Sequence, residues 1–171
     1  MKDLSVDIET YSDQEIWRVG LFRYCDTPSF EILLFAYSID FGDVHVVDLA
    51  LGETIPPEIV EALKDPAVTK HAYNAAFEIT CINRAGIKTP PDQWVDTMLM
   101  GMYLGYPAGL AKLGTVLGLP EDKKKMAEGK ALIKYFCIPC APARSNGWRT
   151  RNLPQHDPEK WDVFKRYNGQ D

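Results

Sequence analysis

The stretch Leu4-Ser-Val-Asp-Ile-Glu9 decides the architecture, because apolar and polar residues alternate along it. This alternation predicts a β-strand, and Asp7 and Glu9 fall on the same face of that strand. Two neighbouring carboxylates repel each other, and a hard divalent cation such as Mg²⁺ would neutralise the repulsion. The alternative interpretation is a strand end whose two acids lie in water.

Two more strands and a helix are predicted next along the chain. Residues 31–39 are rich in β-branched and aromatic residues, and residues 44–49 follow a Gly-Asp pair that is typical of a hairpin turn. The first three strands are therefore expected to form an antiparallel meander. Pro56-Pro57 then begins a helix that runs to Lys64, because proline at a helix start loses no hydrogen bond.

The rest of the chain alternates between helices and short strands. We predict short strands at 68–72 and 94–95, and a helix at 74–84 with Asn74 as its N-cap and Gly86 after its end. Further helices are expected at 97 onward, 110–117, 127–136 and from Pro158, with a long loop at 137–158. This order predicts an α/β fold with a mixed five-stranded sheet, the first strand at its centre and helices on both faces.

The composition is that of an ordinary globular domain. The 171 residues are 46% hydrophobic and 25% charged, with a formal net charge of −5. No apolar run reaches the roughly 20 residues of a membrane span, and the N-terminus has no signal-peptide pattern. We therefore expect one intracellular, cytoplasmic domain without a membrane partner, and four cysteines that are free thiols.

The charges are distributed unevenly along the chain. Residues 1–110 contain 7 Lys and Arg against 17 Asp and Glu, whereas residues 111–171 contain 12 against 7. This pattern suits a metal-dependent enzyme that acts on a polyanion, because carboxylates hold cations and basic side chains hold phosphates. The simpler interpretation is that the charges are scattered along the sequence and that folding mixes them over the surface.

Two local patterns supply further candidate acids. Asn74-Ala-Ala-Phe-Glu78 is predicted at a helix start, where Glu78 is either functional or merely a first-turn acid favoured by the helix dipole. Tyr167 and Asp171 are four residues apart, so a helix would present them on one face. Taken with Asp7 and Glu9, these patterns form an ordered series of three motifs.

The three motifs, in this order, resemble those of the DEDD exonuclease superfamily, in its tyrosine-bearing DEDDy branch. The similarity is greatest to the proofreading domain of phage-type family A DNA polymerases, and it covers the whole chain. The most familiar members have an aspartate at the position of Glu78. Glutamate keeps the negative charge but has one more methylene group. The resemblance implies a ribonuclease H-like fold. It also implies that residues 1–171 are a single 3′→5′ exonuclease domain, the N-terminal part of a longer polymerase.

The resemblance also implies roles for individual residues. Two divalent ions, Mg²⁺ or Mn²⁺, would be held by the four acids Asp7, Glu9, Glu78 and Asp171, and Tyr167 would orient the attacking water. The expected partners are the 3′ end of single-stranded DNA and a polymerase domain in the same chain. The residues expected to bind substrate are Thr10, Asn74, Phe77, Lys123, Arg144, Arg149 and Arg151.

Several of these residues have an alternative interpretation. Phe77 could pack in the core, Lys123 could lie on a solvated helix edge, and the arginines around Trp148 could belong to a mobile surface loop. The sequence also leaves two other functions open. One is a catalytically silent nucleic-acid-binding or structural module, and the other is a stand-alone exonuclease that acts on RNA.

Overall fold

The structure is a computed structural model that describes residues 1–119 and 129–170. Its centre is a five-stranded mixed sheet with the strand order β3-β2-β1-β4-β5. The strands are β1 (Asp3–Tyr11), β2 (Glu31–Ile39), β3 (Val44–Asp48), β4 (Thr69–Ala72) and β5 (Trp94–Asp96). β1 pairs antiparallel with β2 and parallel with β4, so the predicted central position of the first strand is confirmed.

Helices cover both faces of the sheet, as the sequence predicts. They are α1 (Ile16–Val19), α2 (Leu21–Cys25), α3 (Pro57–Lys64), α4 (Ala76–Arg84), α5 (Thr97–Tyr103), α6 (Leu110–Val116), α7 (Gly129–Phe136) and α8 (Pro158–Asn168). The sequence patterns missed α1 and α2, which are only 4 and 5 residues long. None of the helices in the described part of the chain has the length and apolar character needed to cross a membrane.

Two hydrophobic clusters hold these layers together. In the first cluster, Leu4, Val6 and Ile8 of β1 pack with α2, α3 and α4. In the second, Tyr11 and the neighbouring strand β2 pack with α7 and α8. The alternation along β1 thus directs its apolar side chains into the first cluster and leaves Asp7 and Glu9 on the opposite face.

Candidate active site

The two carboxylates of β1 lie where the ladder between β1 and β2 becomes irregular. Asp7 is paired with Ala36 and Glu9 with Leu34, and the register shifts between Glu9 and Thr10. Such a bulge bends a strand and redirects the side chains beside it. The bulge therefore directly follows the two acids, near the C-terminal end of β1.

Glu78 brings a third carboxylate to this end of the sheet from the first turn of α4. Its side chain is only 3% exposed. Burial raises the pKa of Glu78 well above its usual range, and the negative charges of Asp7 and Asp96 raise it further. Among the residues that the structure describes, its Oε2 atom has no hydrogen-bond partner. A buried carboxylate oxygen without a donor is an arrangement that a bound cation would satisfy.

The turn before α4 is built differently from the predicted one. Asn74 was expected to be the N-cap, but this prediction is wrong because the helix begins at Ala76 and its N-cap is Ala75. Asn74 instead has a φ of 71°, in the left-handed region that asparagine tolerates. The Asp96 carboxylate accepts hydrogen bonds from the backbone N–H groups of Asn74 and Ala75, at 3.1 and 3.0 Å. It also caps α5, so a single side chain fixes the starts of two helices.

α8 delivers Tyr167 and Asn168 to the same end of β1. The Tyr167 ring is fully buried and stacks on Phe164 with centroids 6.1 Å apart. Asn168 Nδ2 donates a hydrogen bond of 2.5 Å to Asp7 Oδ2. The sequence reasoning missed Asn168, although it is adjacent to the tyrosine of the third motif. Asp171, the predicted fourth ligand, lies outside the described residues.

Cys137 is a second neighbour of the acids that the sequence reasoning missed. Its buried thiol donates to Glu9 Oε2 at 3.8 Å. Burial and the charge of Glu9 raise the pKa of Cys137 well above its usual range, so the sulfur stays a neutral thiol. Only spatial proximity reveals this contact, because the two residues are 128 positions apart.

A cleft of about 390 Å³ brings most of these groups together. Its polar lining includes Asp7, Glu9, Thr10, Asn74, Glu78 and Tyr167. Phe77 also lines the cleft, and it packs against the first hydrophobic cluster as well. The Thr10 hydroxyl lies 2.8 Å from the Tyr24 hydroxyl, which holds that side of the cleft in place.

The donor chemistry of the cleft fits a divalent cation. Three carboxylates from β1 and α4 line it, and a hard cation prefers oxygen ligands. Within residues 1–119 and 129–170, however, no three acidic, histidine or cysteine side chains are close enough together to form a metal site on their own. Binding of a cation by Asp7, Glu9 and Glu78 together therefore stays a prediction.

The three predicted arginines are not among the residues that line this cleft. Arg144 is exposed, whereas Arg149 donates to Asn152 Oδ1 at 2.7 Å and to the Asn146 carbonyl at 3.0 Å. Arg151 pairs with Glu31 at 2.5 Å, and its guanidinium lies 3.9 Å from the centroid of the Tyr11 ring. Lys123 lies outside the described residues. Contact of these four residues with substrate stays a prediction.

The whole chain is similar in sequence to part of a known protein. No known protein family profile matches the chain. Over its whole length the chain is 48% identical to part of a DNA polymerase of Bacillus phage SP02, of which it spans 26%. The chain resembles the exonuclease domain of a phage-type DNA polymerase. The predicted resemblance is therefore confirmed, and the chain spans about a quarter of the length of its curated relative.

Solved structures show the same fold at low sequence identity. Trypanosoma brucei RNase D in complex with GMP has a TM-score of 0.55 at 16% identity, with 98% of this chain and 48% of that chain covered. Brucella melitensis NrnC with bound Mg²⁺ has a TM-score of 0.52 at 18% identity, with 68% and 53% covered. The predicted ribonuclease H-like fold is confirmed.

Proposed function

We propose that this chain is a metal-dependent 3′→5′ exonuclease domain that removes nucleoside monophosphates from the 3′ end of DNA. We further propose that it is the proofreading domain of a DNA polymerase. The observation that carries the proposal is the convergence of Asp7, Glu9 and Glu78 with Tyr167 on one cleft. The similarity to a phage DNA polymerase supports DNA as the substrate.

The proposed mechanism assigns each group a task that its position allows. Asp7, Glu9 and Glu78, with Asp171, would hold two divalent ions, Mg²⁺ or Mn²⁺. When bound, such ions lower the pKa of water and stabilise negative charge on the reacting phosphate. Tyr167 would orient the attacking water, because it lines the same cleft as the acids. Asn168 would orient the Asp7 carboxylate through its hydrogen bond.

The terminal nucleotide would occupy the part of the cleft beyond the acids. Thr10, Asn74 and Phe77 line this part, and Phe77 offers an aromatic ring for contact with a base. Only an unpaired end could enter such a cleft, because a paired nucleotide must first leave its stack. We therefore expect single-stranded 3′ ends to be degraded faster than paired ends.

The decisive experiment compares Asp7→Asn with the unmodified chain on oligonucleotides labelled at the 5′ or the 3′ end. The substitution removes a proposed metal ligand while keeping the side-chain shape, so we expect the Mg²⁺-dependent rate to fall by several orders of magnitude. The control is Asp43→Asn, in the exposed turn before β3. Near-normal turnover by Asp7→Asn would refute the metal site, and release of nucleotides from the 5′ end would refute the polarity.

RNA oligonucleotides of the same sequence belong in that assay. Faster hydrolysis of RNA than of DNA would overturn the proofreading assignment. Nucleic-acid binding without hydrolysis in Mg²⁺ or Mn²⁺ would indicate a silent binding module.

A further inference from the structure

A strip of exposed aromatic side chains lies beside the cleft, on the two short helices that the sequence patterns missed. Trp17 of α1 is 70% exposed and lines the carboxylate cleft. Phe22 of α2 is 78% exposed and lines a second groove, of about 810 Å³, between α2 and α4. α1 and α2 are joined directly through Gly20, so the residues of the strip are close in sequence and connect an element of the cleft with an element of the groove.

The strip is also where the basic residues of the acidic part of the chain are concentrated. Residues 1–110 contain only 7 Lys and Arg against 17 Asp and Glu. Three of these seven, Arg23, Arg84 and Lys88, line the groove, where Asp26 is the single acidic residue. A fourth, Arg18, lies over the Trp17 ring at 4.6 Å. Arg18 also pairs with Glu15 at 2.5 Å, so the local positive charge of the strip comes from the cations that have no such partner.

Two of these cations are available for an external anion. Arg84 is engaged, because it pairs with Asp26 at 3.4 Å and donates to the Cys25 carbonyl at 3.1 Å. Arg23 and Lys88 are exposed, and neither has an ion pair with any residue in the described part of the chain. Aromatic residues that only pack into a hydrophobic core would not have unpaired cations beside them.

We propose that the strip formed by Trp17, Phe22, Arg23 and Lys88 binds the single DNA strand that leads into the cleft. Bases would stack on the two aromatic rings, and phosphates would contact the two cations. This combination of stacking rings and a positive groove is how proteins bind single strands without reading their sequence. The proposal rests on the proposed function, in which the 3′ end of the same strand occupies the cleft.

The test measures binding of 5′-labelled oligodeoxythymidylates by fluorescence anisotropy in EDTA, so that no hydrolysis occurs. We expect Phe22→Ala to weaken binding of a 12-nucleotide strand by about tenfold, because one stacking contact is lost. We expect Arg23→Ala with Lys88→Ala to make the salt dependence shallower by roughly 0.7 per removed cation. Thermal unfolding checks that these surface variants remain folded.

Matched controls come from the other end of the sheet. Phe41→Ala removes an exposed ring, and Lys64→Ala removes an exposed cation that pairs with Glu61 at 2.9 Å; neither residue lines the cleft or the groove. The proposal requires that neither control changes affinity or salt dependence. Equal losses in the controls and the strip variants would overturn it, as would unchanged binding and salt slope in both strip variants.

A hydrolysis assay separates this proposal from the proposed function. In Mg²⁺, the Phe22→Ala variant and the double variant of Arg23 and Lys88 should keep the kcat of the unmodified chain on a thymidine dinucleotide, because these residues do not line the cleft, while their KM for the 12-nucleotide strand rises. If the unmodified chain hydrolyses neither substrate, the proposed function fails, and the anisotropy data still decide the strip. If it hydrolyses both and the KM values of the strip variants are unchanged, the strip proposal alone fails.

Discussion

Gly129 lies directly against the ring of Tyr167. A Cβ atom added at residue 129 would meet Tyr167 Cε2 at 2.0 Å and Cζ at 2.6 Å. Distances this short cannot be tolerated, so one of the two residues would have to move. The absence of a side chain at the first residue of α7 therefore allows the tyrosine ring to occupy its place beside the cleft.

Gly129→Ala is expected to displace Tyr167 and to lower kcat by tenfold or more, because small misplacements of catalytic groups are costly. The overpacked side chain should also destabilise the fold by about 1–3 kcal/mol. Single-turnover hydrolysis of a single-stranded oligonucleotide and thermal unfolding measure the two effects.

Gly101→Ala is the matched control, since this helical glycine has only an ordinary contact, at 3.8 Å from Tyr106 Cβ. A double-mutant cycle with Tyr167→Ala adds a sharper criterion. In the Tyr167→Ala background the new methyl group meets no ring, so Gly129→Ala should have little further effect. Fully additive losses would contradict a direct steric effect on Tyr167.

Glu78→Gln is expected to stabilise the metal-free protein at pH 8. Burial, Asp7 and Asp96 raise the pKa of Glu78 above its usual 4.5, so the fold favours the protonated form. The stabilising contribution of that form is present below pH 4.5 and is lost as pH rises through the raised pKa. At pH 8, above the usual pKa of a glutamate, the unfolded chain favours the ionised carboxylate that the fold disfavours, and glutamine removes this cost. Thermal unfolding in EDTA measures the Tm of Glu78→Gln and of the unmodified chain at pH 4 and pH 8. The two Tm values should be equal at pH 4.

In Mg²⁺ the unmodified chain should be more stable than Glu78→Gln, because a bound cation compensates the buried charge. We expect Mg²⁺ to raise the Tm of the unmodified chain more than that of Glu78→Gln. Glu58→Gln is the matched control, since Glu58 also lies in the first turn of a helix but is exposed. The metal assignment of Glu78 fails if Mg²⁺ raises the Tm of both chains equally.

Arg144→Ala and Arg151→Ala should have different effects, because their surroundings differ. Arg144 is exposed, so its loss should make the salt dependence of single-strand binding shallower without changing stability. Arg151 pairs with Glu31 and lies over Tyr11, so its loss should lower the free energy of unfolding by about 1 kcal/mol.

Anisotropy at several salt concentrations and denaturant unfolding measure these two effects separately. Glu31→Gln tests the Arg151 assignment further, since it weakens the same ion pair without removing a cation. If Arg151→Ala instead weakened binding as much as Arg144→Ala and left stability unchanged, Arg151 would be a phosphate-binding residue, as the sequence predicts.

The sheet was predictable because β1 and its neighbours carry strong local signals. The alternation from Leu4 to Glu9 defines a strand with two dissimilar faces, and the later alternation of helices and strands requires parallel pairing. By contrast, α1 and α2 have 4 and 5 residues, too few for a helical period to appear. The strip that they form could therefore not be predicted from periodicity.

The acids of the site were predictable from the motifs, but their surroundings were not. The Cys137 thiol and the Gly129 backbone meet Glu9 and Tyr167 only in the folded chain. The conformation of Asn74 could not be predicted from its residue type, since asparagine is favourable both at an N-cap and in a left-handed turn. The Asp96 carboxylate, which is 22 residues away in the sequence, binds the Asn74 N–H and determines which of the two conformations forms.

A buried tryptophan fixes α8, which carries Tyr167, to the sheet. The Trp161 side chain is buried, and its Nε1 donates a hydrogen bond of 2.7 Å to the buried Asp48 Oδ2. The ring also packs edge-on against Phe136, with centroids 4.8 Å apart. Trp161→Phe would leave a cavity and deprive a buried carboxylate of its closest donor. We expect a loss of about 3 kcal/mol, and with it a fall in Tm of roughly 10 °C.

Trp148→Phe makes the same chemical change at an exposed tryptophan, so its Tm should equal that of the unmodified chain. Asp48→Asn combined with Trp161→Phe separates the two causes of the loss. Asp48 keeps the Leu51 N–H as a donor and Lys165 Nζ at 3.7 Å, so Trp161→Phe removes only its closest donor. If the loss of this donor dominates, the double variant should recover part of the stability lost by Trp161→Phe, because the amide carries no charge to bury. If the cavity dominates, the double variant should be no more stable than Trp161→Phe alone. Equal Tm values for Trp161→Phe and the unmodified chain would show that α8 is held by its other contacts, and that the hydrogen bond to Asp48 adds nothing to them.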